Sequence, residues 1–512
     1  MTQRNGRNRP KRGSKANGLN QLAWRQIKNP YQPVEIISAD QLDAITNTAF
    51  DILETIGMDF MHEEAKQVLK KAGADVANDS NRVKLDRTLI KDALAKAPSS
   101  YTLHARNPAH NLDFEPGVIN IAAVASAPNV SDIVGGRRPG NQKDFQDLLK
   151  LAQSLNIIHL TGGYPVEPVD LPPRTRHLNC TADMAIMTDK FYHAYSLGDE
   201  RIIDALEITR IAHGAISWEE FDKKVRLLSI INTSSPLRLD GNMIEGAFAM
   251  AKHNQLLVVT PFTLSGAMAP VTIAGALAQQ HAEAIAALTL IQLFAPGCPV
   301  AYGGFTSNVD MKSGAPAFGT PENAQAALIS GQLARHINIP YRSSNANASN
   351  SPDAQATYES QMSIWSAMMG HANLLKHGCG WLEGGLCSSF EKVIIDAEML
   401  QMMSVFLTPP QIDTDSLGLS AIEDVGPGGH FFGTQHTLDR YEFAFYAPML
   451  SDWSNFETWV EKGSKTATER AHDIYKQLID EYSTPTMDIA LKDEINAYVA
   501  KRTFEGGVTG IF

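Results

Sequence analysis

Cysteine is scarce. The four residues Cys180, Cys298, Cys379 and Cys387 stand far apart with no C-x-x-C pair, which argues against a disulfide framework or a structural zinc site and fits a reducing cytoplasm. Long apolar runs are missing as well. The richest stretch, 271–294, is interrupted by Gln279, Gln280, His281 and Glu283, so no segment reads as a membrane span. Positive charge is outweighed: Asp and Glu number 56 against 44 Lys and Arg, a net −12, which makes nucleic acid a poor partner. The one basic run, MTQRNGRNRPKRGSK, holds six Lys or Arg and lacks the apolar region of a secretory signal. Residues 1–30 therefore read as a disordered, solvated basic tail, with a contact arm for an acidic partner protein as the sharper alternative. Phosphate-cradling glycine motifs are absent too. No G-x-G-x-x-G follows the first strand and no G-x-x-x-x-G-K-[ST] occurs, so nucleotide binding of those kinds is not expected.

What the chain does have is a large apolar fraction, 44% of 512 residues, enough for a sizeable core. From residue 118 a regular alternation sets in. Strand-like runs begin near 119 (INIAAVAS), 157 (IIHLTGG), 191 (FYHAYSL), 226 (RLLSIIN), 256 (LLVVTPFTL), 298, 338 and 378. Amphipathic stretches such as DFQDLLKLAQSLN, ERIIDALEITRIAHG and YESQMSIWSAMMGHANLLKHG separate them, and SFEKVIIDAEMLQMMSVFL follows the last. Eight β–α units predict an α/β fold with a (β/α)8 TIM barrel over 118–407; a doubly wound open sheet is the rival, and the count of eight favours the barrel. Upstream, 31–117 reads as an N-terminal helical cap that ends in one or two strands at YTLHARNPAHNLDF. Downstream, 408–512 reads as a C-terminal helical extension, whose Gly- and aromatic-rich stretch PGGHFFGTQHTLDRYEFAFYAPML is expected to lie over the barrel.

The stretch 297–385 organises the rest. Its apolar runs at 298–302, 338–341 and 379–382 each end in glycines, hydroxyls or amides, and in a parallel α/β protein that side of the sheet binds ligands. The candidate binding residues at or near the strand ends are His193, Tyr195, Phe262, Tyr302, Phe305, Arg342, Asn345 and Trp381. A cluster of rings at a cavity mouth holds a quaternary ammonium by cation–π attraction, about 0.5–2 kcal/mol per ring; the alternative is that these rings fill the core. Glu383 is the candidate catalytic residue. Strand alternation puts it on one face with Cys379 and Trp381, where a carboxylate is costly to bury unpaired. It would neutralise a bound cation, act as acid or base, or pair with Arg342 to tie two strands together. Gly303, Gly304 and Gly384, with Gly385, would leave the mouth open to something large and flat, such as a cofactor on another protein; ordinary loop geometry is the alternative.

Several pieces resemble the trimethylamine methyltransferase family, including members that lack pyrrolysine and act on quaternary amines such as glycine betaine. They are NTSSPLRL, TPFTLSGAMAPVTIAGALAQQHAEAIAALTLIQL, PVAYGGFTSNVDMKSGAPAFGTPE, IPYRSSNANASNSPDAQATYE, GWLEGGL and DWSNFETWVEKGSKTA. The resemblance implies a barrel that passes a methyl group to the cobalt of cobalamin (a corrinoid) carried by a separate protein, with no cofactor held tightly by the chain itself. Pyrrolysine would fall in the loop Asn345, Ala346, Asn347, just ahead of Pro352 and Asp353; nothing there can form its adduct with a tertiary amine. The expected substrate is thus a quaternary amine such as glycine betaine, with Arg342 on the carboxylate and Tyr195, Tyr302, Phe305 and Trp381 around the ammonium. A cytoplasmic homo-oligomer is expected. The alternatives are a non-catalytic betaine-binding or regulatory barrel, and a demethylase of another methylated compound such as carnitine or trimethylamine.

Overall fold

A parallel sheet sits at the centre of the molecule. The computed structural model describes residues 18–510, so the whole of the basic run, 1–15, lies outside the described residues. In order across the sheet, the strands are Ile27–Lys28, Val118–Ile121, Leu374–Lys376, Tyr341–Ser344, Val300–Gly303, Leu256–Pro261 and Leu228–Thr233. Neighbours pair in parallel, except that Ile27–Lys28 runs antiparallel to Val118–Ile121. Single parallel bridges extend the pairing from Ala122 to Leu160, from Leu160 to Phe191, and from His193 to Leu228. Helices alternate with these strands along the chain, which makes the fold mixed α/β.

The pleat sorts the side chains into two layers. One set, including Ala122, Leu160, Phe191, Leu228, Leu256, Val258, Ala301 and Leu374, forms a single buried cluster. Leu103, Leu112 and Phe114 join it from the hairpin of Tyr101–Leu103 with Leu112–Phe114. The alternate set, with Leu257, Val259, Val300, Tyr302, Tyr341 and Leu375, packs under the helices. Helix Ile273–Phe294 starts where the Thr272 hydroxyl accepts from the Gly275 amide. It is apolar nearly all round because helices Ala39–Asp51 and Arg87–Leu94 cover its outer face.

The structure departs from the sequence reading in four places. The last strand is Leu374–Lys376 instead of 379–382, because helix Ala354–Met369 stops at Gly370 and His371 turns the chain with φ 60°. The Leu-Leu-Lys that looks like the end of a helix is therefore a strand. Trp381–Leu382 pairs antiparallel with Cys387–Ser389, in a small sheet with Asn129–Asp132 and Gly136–Pro139. Second, residues 18–30 of the expected tail pack against the fold, with Gln21 and Asn29 buried. Third, 31–117 holds strands besides those expected at its end: Met58–Phe60, Asp75–Val76 and Arg82–Lys84 join Arg238–Leu239 in a four-stranded sheet. Strands of two or three residues carry too little alternation to be read from sequence. Fourth, the Gly- and aromatic-rich stretch does not cover the sheet; it stands out, with Phe432 and Phe445 84% and 85% exposed. Among the described residues no helix is long and apolar enough to cross a membrane.

Candidate active site

The candidate site begins with two adjacent strands. In Tyr341–Ser344, Tyr341 points outward and its hydroxyl donates to Ala327 O at 2.7 Å. Alternation then sends Arg342 and Ser344 inward. On the neighbouring strand Leu374 and Lys376 take the same face, in register with Arg342 and Ser344. His193 adds its ring from the position that bridges Leu228. Directly after Lys376 the chain takes φ 56° at His377, a left-handed conformation that costs a non-glycine residue about 1–2 kcal/mol. Gly378 anchors that kink: its amide donates to Ala122 O at 2.7 Å, and its carbonyl accepts from Asn345 Nδ2 at 2.9 Å.

Four basic side chains are thereby buried together. Arg342 is pushed down to about 10 by burial. Lys376 lies well below its ordinary value, through burial and the charge of Arg342. His193 and His377 are likewise pushed well down by burial first, then by Lys376 and by Arg342 respectively. Lys376 Nζ donates to Gly162 O and lies 3.1 Å from His193 Nδ1, which is itself 2.9 Å from the same carbonyl. Among the described residues no carboxylate is bonded to any of the four. Several polar atoms here are buried without a hydrogen-bond partner: Arg342 Nε and Nη1, His193 Nε2, His377 Nδ1, Ser344 Oγ and Asn345 Oδ1. Buried polar groups are normally satisfied, so this concentration makes the cluster a candidate seat for a polar ligand.

Rings form the other half. Phe305 stacks on Phe262 with centroids 5.2 Å apart, and lies 5.2 Å from Phe318 and 6.2 Å from Trp381. Trp381 is edge-on to Phe318 at 6.4 Å and 4.2 Å from His377. The guanidinium carbon of Arg342 is 5.2 Å from the Phe305 ring centre, so the cationic cluster and the ring cluster share a border.

Of the residues the sequence singled out, the structure brings His193, Phe262, Phe305, Arg342, Asn345 and Trp381 together here. Tyr195 stands beside them, its ring 4.8 Å from His193 and its hydroxyl 2.7 Å from Ser126 Oγ. Tyr302 is elsewhere. It faces the helix layer, where its hydroxyl accepts from Gln280 Nε2 at 3.1 Å, because the pleat turns Ala301 and Gly303 inward instead. Glu383 does not meet Arg342. It sits in the turn Glu383–Gly385, where both carboxylate oxygens accept from Arg137 Nε at 2.9 Å. The pair opens on a cleft of about 620 Å³ lined also by Ser131, Asn350, Pro352 and Glu391. Gly303 and Gly304 are packing glycines and not part of an open mouth: a Cβ would meet Thr260 Oγ1 at 2.1 Å and Ser330 Cβ at 2.7 Å. At Gly384 (φ 61°) a Cβ would meet only Phe318, at 3.7 Å. Sequence reasoning missed Lys376, His377 and Phe318. The first two were hidden by the misplaced last strand, and Phe318 by its position in a loop.

The family model for trimethylamine methyltransferase (MTTB) matches residues 3–507. The glycine betaine methyltransferase of Desulfitobacterium hafniense (strain Y51) is 34% identical over 473 residues, covering 92% of this chain and 98% of that protein. Trimethylamine methyltransferase MttB1 of Methanosarcina acetivorans is 27% identical over 484 residues, covering 92% and 96%. Among solved structures, the hydroxylamine MtmB complex covers 87% of this chain and 94% of its own at 11% identity, with a TM-score of 0.46.

Proposed function

The chain belongs to the trimethylamine methyltransferase family, and from that premise we propose that it takes a methyl group from a quaternary amine bearing a carboxylate, such as glycine betaine, and delivers it to a corrinoid carried by another protein. The observation that carries this reading is the seat of Arg342. Its Nε and Nη1 are buried without a partner, and its guanidinium borders the Phe305 ring. A carboxylate needs paired N–H donors and an ammonium needs ring faces. One small zwitterion touches both.

Among the described residues no carboxylate is bonded to the four basic side chains, which fits the same substrate, since a carboxylate there would compete for Arg342. The loop at 345–347 supports a quaternary over a tertiary amine. Asn345 donates to Gly378 O, and Asn347 donates to Trp381 O at 2.7 Å and to Ser360 Oγ at 3.1 Å. These buried amides are structural, and neither forms a covalent adduct with an amine. A quaternary ammonium departs as a neutral tertiary amine, so the protein's part is to orient and dehydrate it. Arg342 would fix one end and the rings of Phe305, Phe318 and Trp381 the other. The corrinoid supplies the Co(I) nucleophile, and the bare backbone at Gly384 fits the approach of a partner that presents it.

The pairing order supports reading the sheet as a closed (β/α)8 barrel, with the three single bridges completing the ring between Ala122 and Leu228. The candidate site then lies at the C-terminal strand ends, where barrel enzymes work. Self-association is the third part of the reading. Residues 409–447 are exposed almost throughout and carry Phe431, Phe432, Tyr441, Phe443 and Phe445. That is more apolar surface than a monomer usually leaves uncovered. It begins beside the N-terminal segment, where Arg25 donates to Thr408 Oγ1.

The test uses the purified chain with reduced cobalamin. Glycine betaine should yield methylcobalamin and dimethylglycine, followed by the change in visible spectrum, and trimethylamine should not react. Turnover of trimethylamine with none of any quaternary amine would overturn the reading. Binding of betaine without turnover, also in the presence of a corrinoid protein, would leave a betaine-binding protein.

A further inference from the structure

We infer that Lys376 is a second donor to the substrate carboxylate beside Arg342, and that binding draws a proton from solvent into the Lys376–His193 pair. This inference rests on the carboxylate-bearing substrate proposed above. Lys376 is 2% exposed and ends the strand Leu374–Lys376 facing inward. Two residues along the adjacent parallel strand separate it from Arg342 in register, roughly 8 Å between Cα atoms by strand spacing and rise. An arginine side chain is long enough to close that gap, so both heads can reach one carboxylate.

The groups facing Lys376 are Arg342 from one strand, His193 from the bridge position, His377 from its own turn, and the Gly162 carbonyl. Three of these are basic and none is acidic. A buried ammonium in such company has one carbonyl to share and a like charge beside it. Both effects favour the neutral amine, consistent with the downward shift of Lys376. A carboxylate arriving at Arg342 reverses the balance: it is an opposite charge within reach of Nζ, and it accepts the hydrogen bonds that an ammonium must make. One proton taken from solvent then gives an ammonium–carboxylate contact. Nζ and His193 Nδ1 are 3.1 Å apart, so the two share that proton as a coupled pair.

The sign is fixed by this account. Binding consumes a proton, so affinity falls as pH rises through the range between the free and bound titrations, by up to tenfold per unit. Calorimetric titration of glycine betaine at one pH in phosphate and in Tris reads the proton directly from the difference in heat. About one proton taken up per betaine is expected, with none for tetramethylammonium, which has no carboxylate. Lys376→Met should abolish the uptake and flatten the pH dependence. Tight betaine binding with no buffer-dependent heat in the unaltered protein would overturn the inference while leaving the substrate reading intact; that measurement needs no variant. Failure of betaine to bind in either buffer would overturn both. Uptake that persists in Lys376→Met would move the proton away from Lys376 and refute its role.

Discussion

Arg342→Lys is the sharpest perturbation of the candidate site. The guanidinium offers two unbonded nitrogens, Nε and Nη1, in a fixed plane at the border of the ring cluster. A carboxylate would accept two parallel N–H bonds along one edge of the guanidinium, from Nε or Nη1 together with Nη2, and an ammonium cannot reproduce that geometry. Loss of one charge-assisted hydrogen bond costs about 1.5–3 kcal/mol, which is roughly a 10- to 150-fold rise in Kd for glycine betaine. The setting pushes the loss toward the upper end, because an amine placed beside Lys376 in the same buried cluster is disfavoured as a cation. Tetramethylammonium supplies the internal control: it lacks the carboxylate, so its Kd should stay within about twofold. Trp381→Leu supplies the converse. It removes one ring face, about 0.5–2 kcal/mol, and should weaken both ligands alike. Calorimetric titration of the two ligands against the two variants decides the matter. Equal losses for both ligands in Arg342→Lys would remove Arg342 from substrate recognition and leave it as a stiffener of the ring cluster.

Glu383→Gln should leave betaine affinity within about twofold and thermal stability nearly unchanged, because its partner Arg137 is 51% exposed and such pairs are worth about 0–1 kcal/mol; a tenfold loss of affinity would return Glu383 to the substrate site. Lys392→Met should be far more damaging. Lys392 and Asp396 are paired at zero exposure, and Asp396 also accepts from the Gly380 amide at 2.9 Å. Stranding that carboxylate costs about 3–5 kcal/mol, read as an earlier denaturation midpoint; a shift worth under about 1 kcal/mol would show that Asp396 is protonated in the fold. The double change Phe432→Asp and Phe445→Asp should shift the protein to a smaller species in light scattering while betaine affinity stays the same, and an unaltered mass would refute self-association through that stretch.

How much of this was written in the sequence depends on the range of the signal. The alternation of apolar strands with amphipathic helices is a long, repeated pattern, so the α/β architecture and the order of its units were legible from residue 118 onward. Strand ends were not, because they depend on where single residues break a period. Gly370 and His371 end a helix that the run SIWSAMMGHANLLK would otherwise extend on periodicity alone. That shift of a few residues decided which side chains face the site: it hid Lys376 and His377 and placed Glu383 on the wrong face. Tyr302 failed for a related reason. On a strand buried on both faces every residue is apolar or small, so composition does not tell inside from outside, and only the register with its neighbours puts Tyr302 under the helices. Phe305, Arg342 and Trp381 were legible because each is an expensive residue to place at a strand end or loop without a role. Their convergence, unlike their identity, required the sheet to bring positions 262, 305, 342 and 381 together. The unbonded nitrogens of Arg342 and the company of Lys376 then turn a list of aromatic residues into a prediction about charge: this site accepts an anion and a cation in one molecule, and a ligand carrying only one of them leaves half of it unsatisfied.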